Sequence, residues 1–117
     1  MKLCGDKKGI NRYGDSFVPM DETLVQCSLD ICCRPYLVFN VELPAEKVGD
    51  FETELTEEFF RAIAMNSGMT LHFNLKYGEN THHIIEALFK SFGKGFKQAI
   101  RIEEENKNKI ISSKGAL

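Results

Sequence analysis

Apolar positions recur along the chain with two different periods, and the change from one to the other divides it into elements. Between Ile10 and Pro19, Tyr13, Phe17 and Val18 mark an extended segment broken at Gly14 and Asp15. Thr23, Val25, Cys27, Leu29 and Ile31 then alternate with Leu24, Gln26, Ser28, Asp30 and Cys32, the period-two signature of a half-buried strand. Tyr36 to Leu43 reads as a third strand after a turn at Arg34 and Pro35. The short links between these runs predict antiparallel neighbours.

After Pro44 the period becomes helical. Phe51, Leu55, Phe59, Ala62, Ile63 and Met65 gather on one side, with Glu54, Glu57 and Arg61 on the other. Asn66, Ser67 and Gly68 end this helix, because Gly and Asn tolerate a left-handed cap. Met69 to Tyr77 alternates again, and Gly78, Glu79 and Asn80 turn into a second helix over 81–102, with Asn80 or Thr81 as its N-cap. Ile85, Phe89, Phe92, Phe96 and Ile100 form its predicted core stripe. The charged tail from Glu103 to Leu117 reads by composition as a mobile terminus. The order βββαβα predicts an α+β fold of two layers, an antiparallel sheet with two helices on one face.

Composition narrows the class. A chain of 117 residues makes one domain and can bury roughly two thirds of its unfolded surface. With 27% charged and 43% hydrophobic residues and a net charge of −2, it falls among ordinary globular proteins and outside the disordered and membrane classes. No apolar run approaches the ~20 residues of a membrane span. Lysines cluster at both ends (Lys2, Lys7, Lys8 and Lys107, Lys109, Lys114) without interleaved aromatics, which argues against nucleic acid and leaves a small phosphorylated ligand open. Cys4, Cys27, Cys32 and Cys33 lack the spacing of a zinc ribbon and no secretory signal precedes them, so free thiols in the cytoplasm are expected.

The chemistry gathers in THHIIEALFK, residues 81–90. On a helix, His82, Glu86 and Lys90 succeed one another every four residues, and with His83 they occupy an arc beside the apolar stripe. Imidazole nitrogen and carboxylate oxygen projecting from one edge suit a divalent metal. The spacing leaves a second reading open, in which the histidines are only a polar start to a core helix. Glu58 lies at the flank of the first helix, as a further ligand or a solvated acid, and His72 within its strand reads as structural.

Three stretches carry a resemblance: GDKKGINRYGDSFVPMDE, the long run from RPYLVFNVELP through THHIIEALFK, and the terminal SSKGAL. Together they are similar to the second half of the imidazoleglycerol-phosphate dehydratase family. The resemblance implies one repeat of a duplicated ribosomal protein S5 domain 2-like fold. In that family each half supplies an HHxxE helix, subunits form an octahedral shell, and sites between subunits hold two manganese ions. The implied reaction is the dehydration of imidazole glycerol phosphate to imidazole acetol phosphate in histidine biosynthesis, with metal Lewis acidity joined to general acid and base steps.

Carried onto matching positions, the resemblance makes His82, His83 and Glu86 metal ligands, with Glu86 and His83 also catalytic. Glu58 stands where many members have a ligand histidine. Arg12, Arg34 and Lys90 match substrate-contacting positions, and Ser112 and Lys114 match a phosphate-binding tail. Cys32 and Cys33 replace a usual Ser-Gly pair. The implied layout is residues 1–9 as the end of a first repeat, 10–102 as the second repeat, and 103–117 as the phosphate-binding tail. With no second HHxxE in the sequence, the chain is expected to supply part of a coordination sphere, as a piece of a full enzyme, beside another chain, or as an inactive remnant. A non-catalytic metal-binding or assembly module is the alternative function.

Overall fold

A computed structural model describes residues 9–102. The segments 1–8 and 103–117, which include Cys4, Ser112 and Lys114, lie outside the described residues. Eight elements follow in order: β1 (Tyr13–Met20), β2 (Thr23–Asp30), β3 (Tyr36–Asn40), β4 (Lys47–Val48), β5 (Phe51–Glu52), α1 (Glu54–Ser67), β6 (Thr70–Tyr77) and α2 (Thr81–Ile100). The short β4–β5 hairpin is absent from the sequence reading, and it takes Phe51 out of the first helix.

The main sheet has the order β1-β2-β6-β3. β1 pairs with β2, and β2 with β6, in antiparallel register. The expected adjacency of β2 and β3 is corrected. β6 lies between them and runs parallel to β3, pairing Leu37 with Leu71 and Phe39 with Phe73. A helical crossover is the usual way to join parallel neighbours, and α1 supplies it. The link from Ile31 to Pro35 is long enough to step across one strand, because two strand spacings are about 10 Å and five extended residues reach roughly 17 Å.

That link also bends through one left-handed residue. Cys33 has φ of 67°, in the left-handed region that glycine enters freely. Cysteine holds this conformation at a steric cost of about 1–2 kcal/mol. Cys27, Cys32 and Cys33 are all free thiols. Buried Cys27 is the inert one, because burial, reinforced by the Asp15 charge, pushes its pKa up to about 12.

Both helices cover one face of the sheet. That face carries Val25, Cys27 and Leu29 from β2, and Leu71 and Phe73 from β6, all buried. Phe60 of α1 joins the layers: its ring centroid lies 4.5 Å from Phe73, 4.9 Å from Phe89 and 5.6 Å from Phe92.

The predicted helix stripes are rotated relative to the observed ones. On α1 the buried residues are Thr56, Phe60 and Ala64, whereas Leu55, Phe59 and Met65 remain exposed. On α2 the sheet-facing residues are Ile84, Leu88, Ser91, Gly95 and Ala99, while Phe89 and Ile100 are exposed. The cause is size. Small residues let the helix approach the sheet, so an apolarity count overlooks them. Ser16 Oγ donates to the Ser91 carbonyl at 2.7 Å. Gly14 lies so close that an added Cβ would overlap the Gly95 carbonyl oxygen. The larger apolar residues flank this seam, leaving each helix a second apolar face without cover in the single chain.

The cap predictions hold. Gly68 ends α1 in the left-handed conformation and donates its N–H to the Ala64 carbonyl, and the Asn80 side chain accepts from the His83 N–H at the start of α2.

Candidate functional site

The first turn of α2 sits over the tight β1–β2 turn, because antiparallel pairing of β2 with β6 ends at Leu24 opposite Tyr77. Asp21 and Glu22 of the turn therefore meet residues 79–83. One Glu22 carboxylate oxygen accepts from the backbone N–H groups of Glu79 at 2.8 Å and Asn80 at 2.9 Å, and from the Thr23 hydroxyl at 2.6 Å. The other oxygen lies 2.6 Å from His83 Nδ1. These donors, led by the Asn80 N–H and the Thr23 hydroxyl, hold the Glu22 carboxyl far below the usual carboxylate range. The Glu22 hydrogen bond raises the pKa of His83 against the effect of desolvation, with the Asp21 charge adding to the rise. Asp21 Oδ2 lies 3.3 Å from His83 Nε2, and this carboxylate is 75% exposed.

One ridge further along, His82 Nε2 lies 3.4 Å from Glu86 Oε2, and Lys90 Nζ lies 3.6 Å from Glu86 Oε1. His82, Glu86 and Lys90 thus converge as the spacing predicts. His83 is turned away from them toward the β1–β2 turn. Glu58 is exposed on α1. Among the described residues, no three His, Cys, Asp or Glu side chains are grouped so as to hold a metal ion.

The donor chemistry nevertheless fits part of a divalent-metal site. Two ligands at right angles, each about 2.1 Å from an ion, are roughly 3 Å apart. His82 Nε2 and Glu86 Oε2, 3.4 Å apart, are somewhat wider than that edge. His83, held at Nδ1 by a carboxylate, has the arrangement commonly found behind metal-bound imidazoles. The remaining positions need donors from elsewhere.

The predicted substrate-contacting arginines lie at the opposite end of the sheet. Arg12 donates its backbone N–H to the Ala99 carbonyl at the end of α2, and its guanidinium makes two bonds to Asp30, from Nε at 2.6 Å and from the terminal nitrogen at 3.2 Å. The carbonyl of Arg34 accepts from the Thr70 hydroxyl where β6 begins, and Thr70 is the register partner of Asp30. α2 separates this end from the histidines. It has 20 residues, about 30 Å at helical rise. Ser112 and Lys114 lie outside the described residues, and His72 sits on the outer face of the sheet, opposite Ser28 and Val38.

Asp21 and Glu22 were missed in the sequence reading. Both are present in VPMDE, but only the pairing of β2 with β6 places them at the histidines.

Comparison with known proteins agrees with this architecture. A family model described as imidazoleglycerol-phosphate dehydratase matches residues 1–96. The imidazoleglycerol-phosphate dehydratase of Lactococcus lactis subsp. cremoris strain SK11 is 60% identical over 117 residues, covering 99% of this chain and 58% of that protein. The Heliobacterium modesticaldum protein of the same name is 55% identical over 116 residues, covering 99% and 60%. The Staphylococcus aureus dehydratase crystal structure superposes with a TM-score of 0.82 at 52% identity, covering 85% of this chain and 58% of that one. The Pyrococcus furiosus enzyme in complex with (S)-C348 gives 0.76 at 35% identity, covering 83% and 55%. The chain thus spans about three fifths of the length of the curated relatives it matches.

Proposed function

Because the chain belongs to the imidazoleglycerol-phosphate dehydratase family, we propose that it contributes one half of each metal-dependent site that dehydrates imidazole glycerol phosphate. The observation that carries the shared-site reading is the separation of the two ends. The His82–Glu86–Lys90 edge begins α2, and Arg12 lies where α2 finishes. Both sets cannot hold one small substrate within a single copy, so each end serves a different site, completed by another chain.

In this reading His82, Glu86 and His83 hold divalent metal, with two manganese ions per complete site. Bound metal supplies Lewis acidity toward the substrate's imidazole. Glu86 has one oxygen toward His82 and one toward Lys90, which places a carboxylate able to accept a proton beside the metal edge. The Lys90 side chain is 56% exposed, with its ammonium available to a phosphate oxygen. At the other end Arg12, fixed by Asp30, and Arg34 present guanidinium groups to a substrate bound against a neighbouring copy, with Ser112 and Lys114 of the tail as further phosphate contacts. Glu58 remains a candidate ligand.

The proposal includes a large octahedral homo-oligomer in the cytoplasm, with no nucleic-acid or membrane partner. It is supported by the net charge of −2 and by the uncovered apolar faces of α1 and α2, where Leu55, Phe59 and Phe89 are 43%, 47% and 40% exposed. Among the described residues, no helix is long and apolar enough to cross a membrane. The same faces suit the alternative of a non-catalytic assembly module.

An activity assay separates the two. The chain is tested with manganese and imidazole glycerol phosphate, alone and mixed with the segment of the Lactococcus lactis relative that it does not cover. Turnover is expected in the mixture and is lost on chelation. Turnover by the chain alone contradicts the shared site, and a stable but inactive mixture favours the assembly module.

A further inference from the structure

We infer that Glu22 is the positioning residue of the metal edge: it fixes the ring of His83 with the proton on Nδ1, so that Nε2 presents its lone pair. This rests on the reading of His83 as a metal ligand. The ring faces two carboxylates, and the distances decide between them. Glu22 Oε1 lies 2.6 Å from Nδ1, whereas Asp21 Oδ2 lies 3.3 Å from Nε2. A neutral imidazole carries one N–H, and the shorter contact claims it. The Asp21 side chain is 75% exposed and free to leave Nε2, while the Glu22 side chain is 36% exposed and tied by four donors.

Those ties make Glu22 more than a partner of one ring. Its second oxygen holds the Glu79 and Asn80 N–H groups, the residues immediately before α2, and Asn80 in turn caps the His83 N–H. One carboxylate therefore sets both where the helix begins and which nitrogen of its third residue, His83, is available. Supporting carboxylates of this kind fix the tautomer and raise the basicity of a ligating imidazole.

Glu22→Gln tests the tautomer apart from the helix anchor. The amide oxygen keeps the two backbone bonds and the Thr23 bond, while the amide nitrogen faces His83 Nδ1 and donates to it, moving the ring proton to Nε2. The chain has three histidines, so ring nitrogen NMR shifts at a pH where the ring is neutral resolve His83. The parent chain is expected to show the Nδ1–H form and Glu22→Gln the Nε2–H form. Melting temperature should stay nearly constant, while manganese affinity falls roughly 10–100-fold. An unchanged tautomer overturns the inference, as does unchanged manganese affinity in Glu22→Gln when His82→Ala lowers it. If neither His82→Ala nor Glu86→Ala affects manganese binding, the metal reading itself fails, an outcome distinct from a failure at Glu22.

Discussion

Replacing His82, His83 and Glu86 together with alanine should lower manganese affinity by more than about a hundredfold, exceeding the 10–100-fold typical of residues that only support a ligand. The fold should survive, because none of the three belongs to the core. The His82 and Glu86 side chains are 63% and 42% exposed, and His83 reaches only the β1–β2 turn. Circular dichroism and the melting transition should therefore stay close to those of the parent while an electron paramagnetic resonance titration loses the bound-manganese population. Unchanged affinity refutes the assignment of this edge. Chelation of the parent should reproduce the functional loss without the substitution.

The second large effect concerns the core. Phe60 is fully buried and touches Phe73 of the sheet and Phe89 and Phe92 of α2, so its ring is where α1, α2 and β6 meet. Phe60→Ala should cost about 3–5 kcal/mol, combining lost burial with an unfilled cavity. Domain stabilities are only about 5–15 kcal/mol, so the urea midpoint should fall steeply, with a slope near that of the parent if the unfolded state is unaltered. Phe59 offers the contrast. It is the adjacent ring, but it is 47% exposed in the single chain. Phe59→Ala should affect the isolated chain far less and association with a covering partner more.

That contrast explains much of what the sequence did and did not disclose. Alternation identified β2 and β6, aromatic and β-branched content identified β1, and helical periodicity identified both helices, because these segments follow local rules; the break expected at Gly14 and Asp15 is corrected, since both pair with β2 inside a continuous β1. Which apolar face of a helix meets the sheet is not local. Phe59 and Phe89 look like better core residues than Ser91 or Gly95, yet close approach of α2 to β1 needs the small ones, and the large rings flank the seam. The parallel pairing of β3 with β6 escaped for a related reason: the five-residue link permits either adjacency, and α1, further along the chain, selects the second.

At the candidate site, the His82–Glu86–Lys90 edge was readable from spacing because a helix turns that spacing into proximity. Glu22 was unreadable. It stands 61 positions from His83 and reaches it only through the sheet register. The cysteine pair carries a different lesson. Cys33 has a backbone conformation that glycine enters freely, so the strain of the turn is carried in one non-glycine residue. The arginines at one extremity were singled out only by the family resemblance, and the histidines at the other by spacing. Their separation along the length of α2 was visible in neither.

That separation admits a direct test by mixing two defective chains, each supplied with the segment of the Lactococcus lactis protein that it does not cover. One carries His82→Ala and Glu86→Ala, destroying the metal edge; the other carries Arg34→Ala, removing the guanidinium at the far end. Each preparation alone should be nearly inactive in the manganese-dependent dehydration of imidazole glycerol phosphate. Co-assembled, they should regain activity toward about a quarter of the parent level, since random mixing pairs an intact histidine end with an intact arginine end in that share of sites. A mixture that assembles fully and stays as inactive as its components contradicts a site shared between copies.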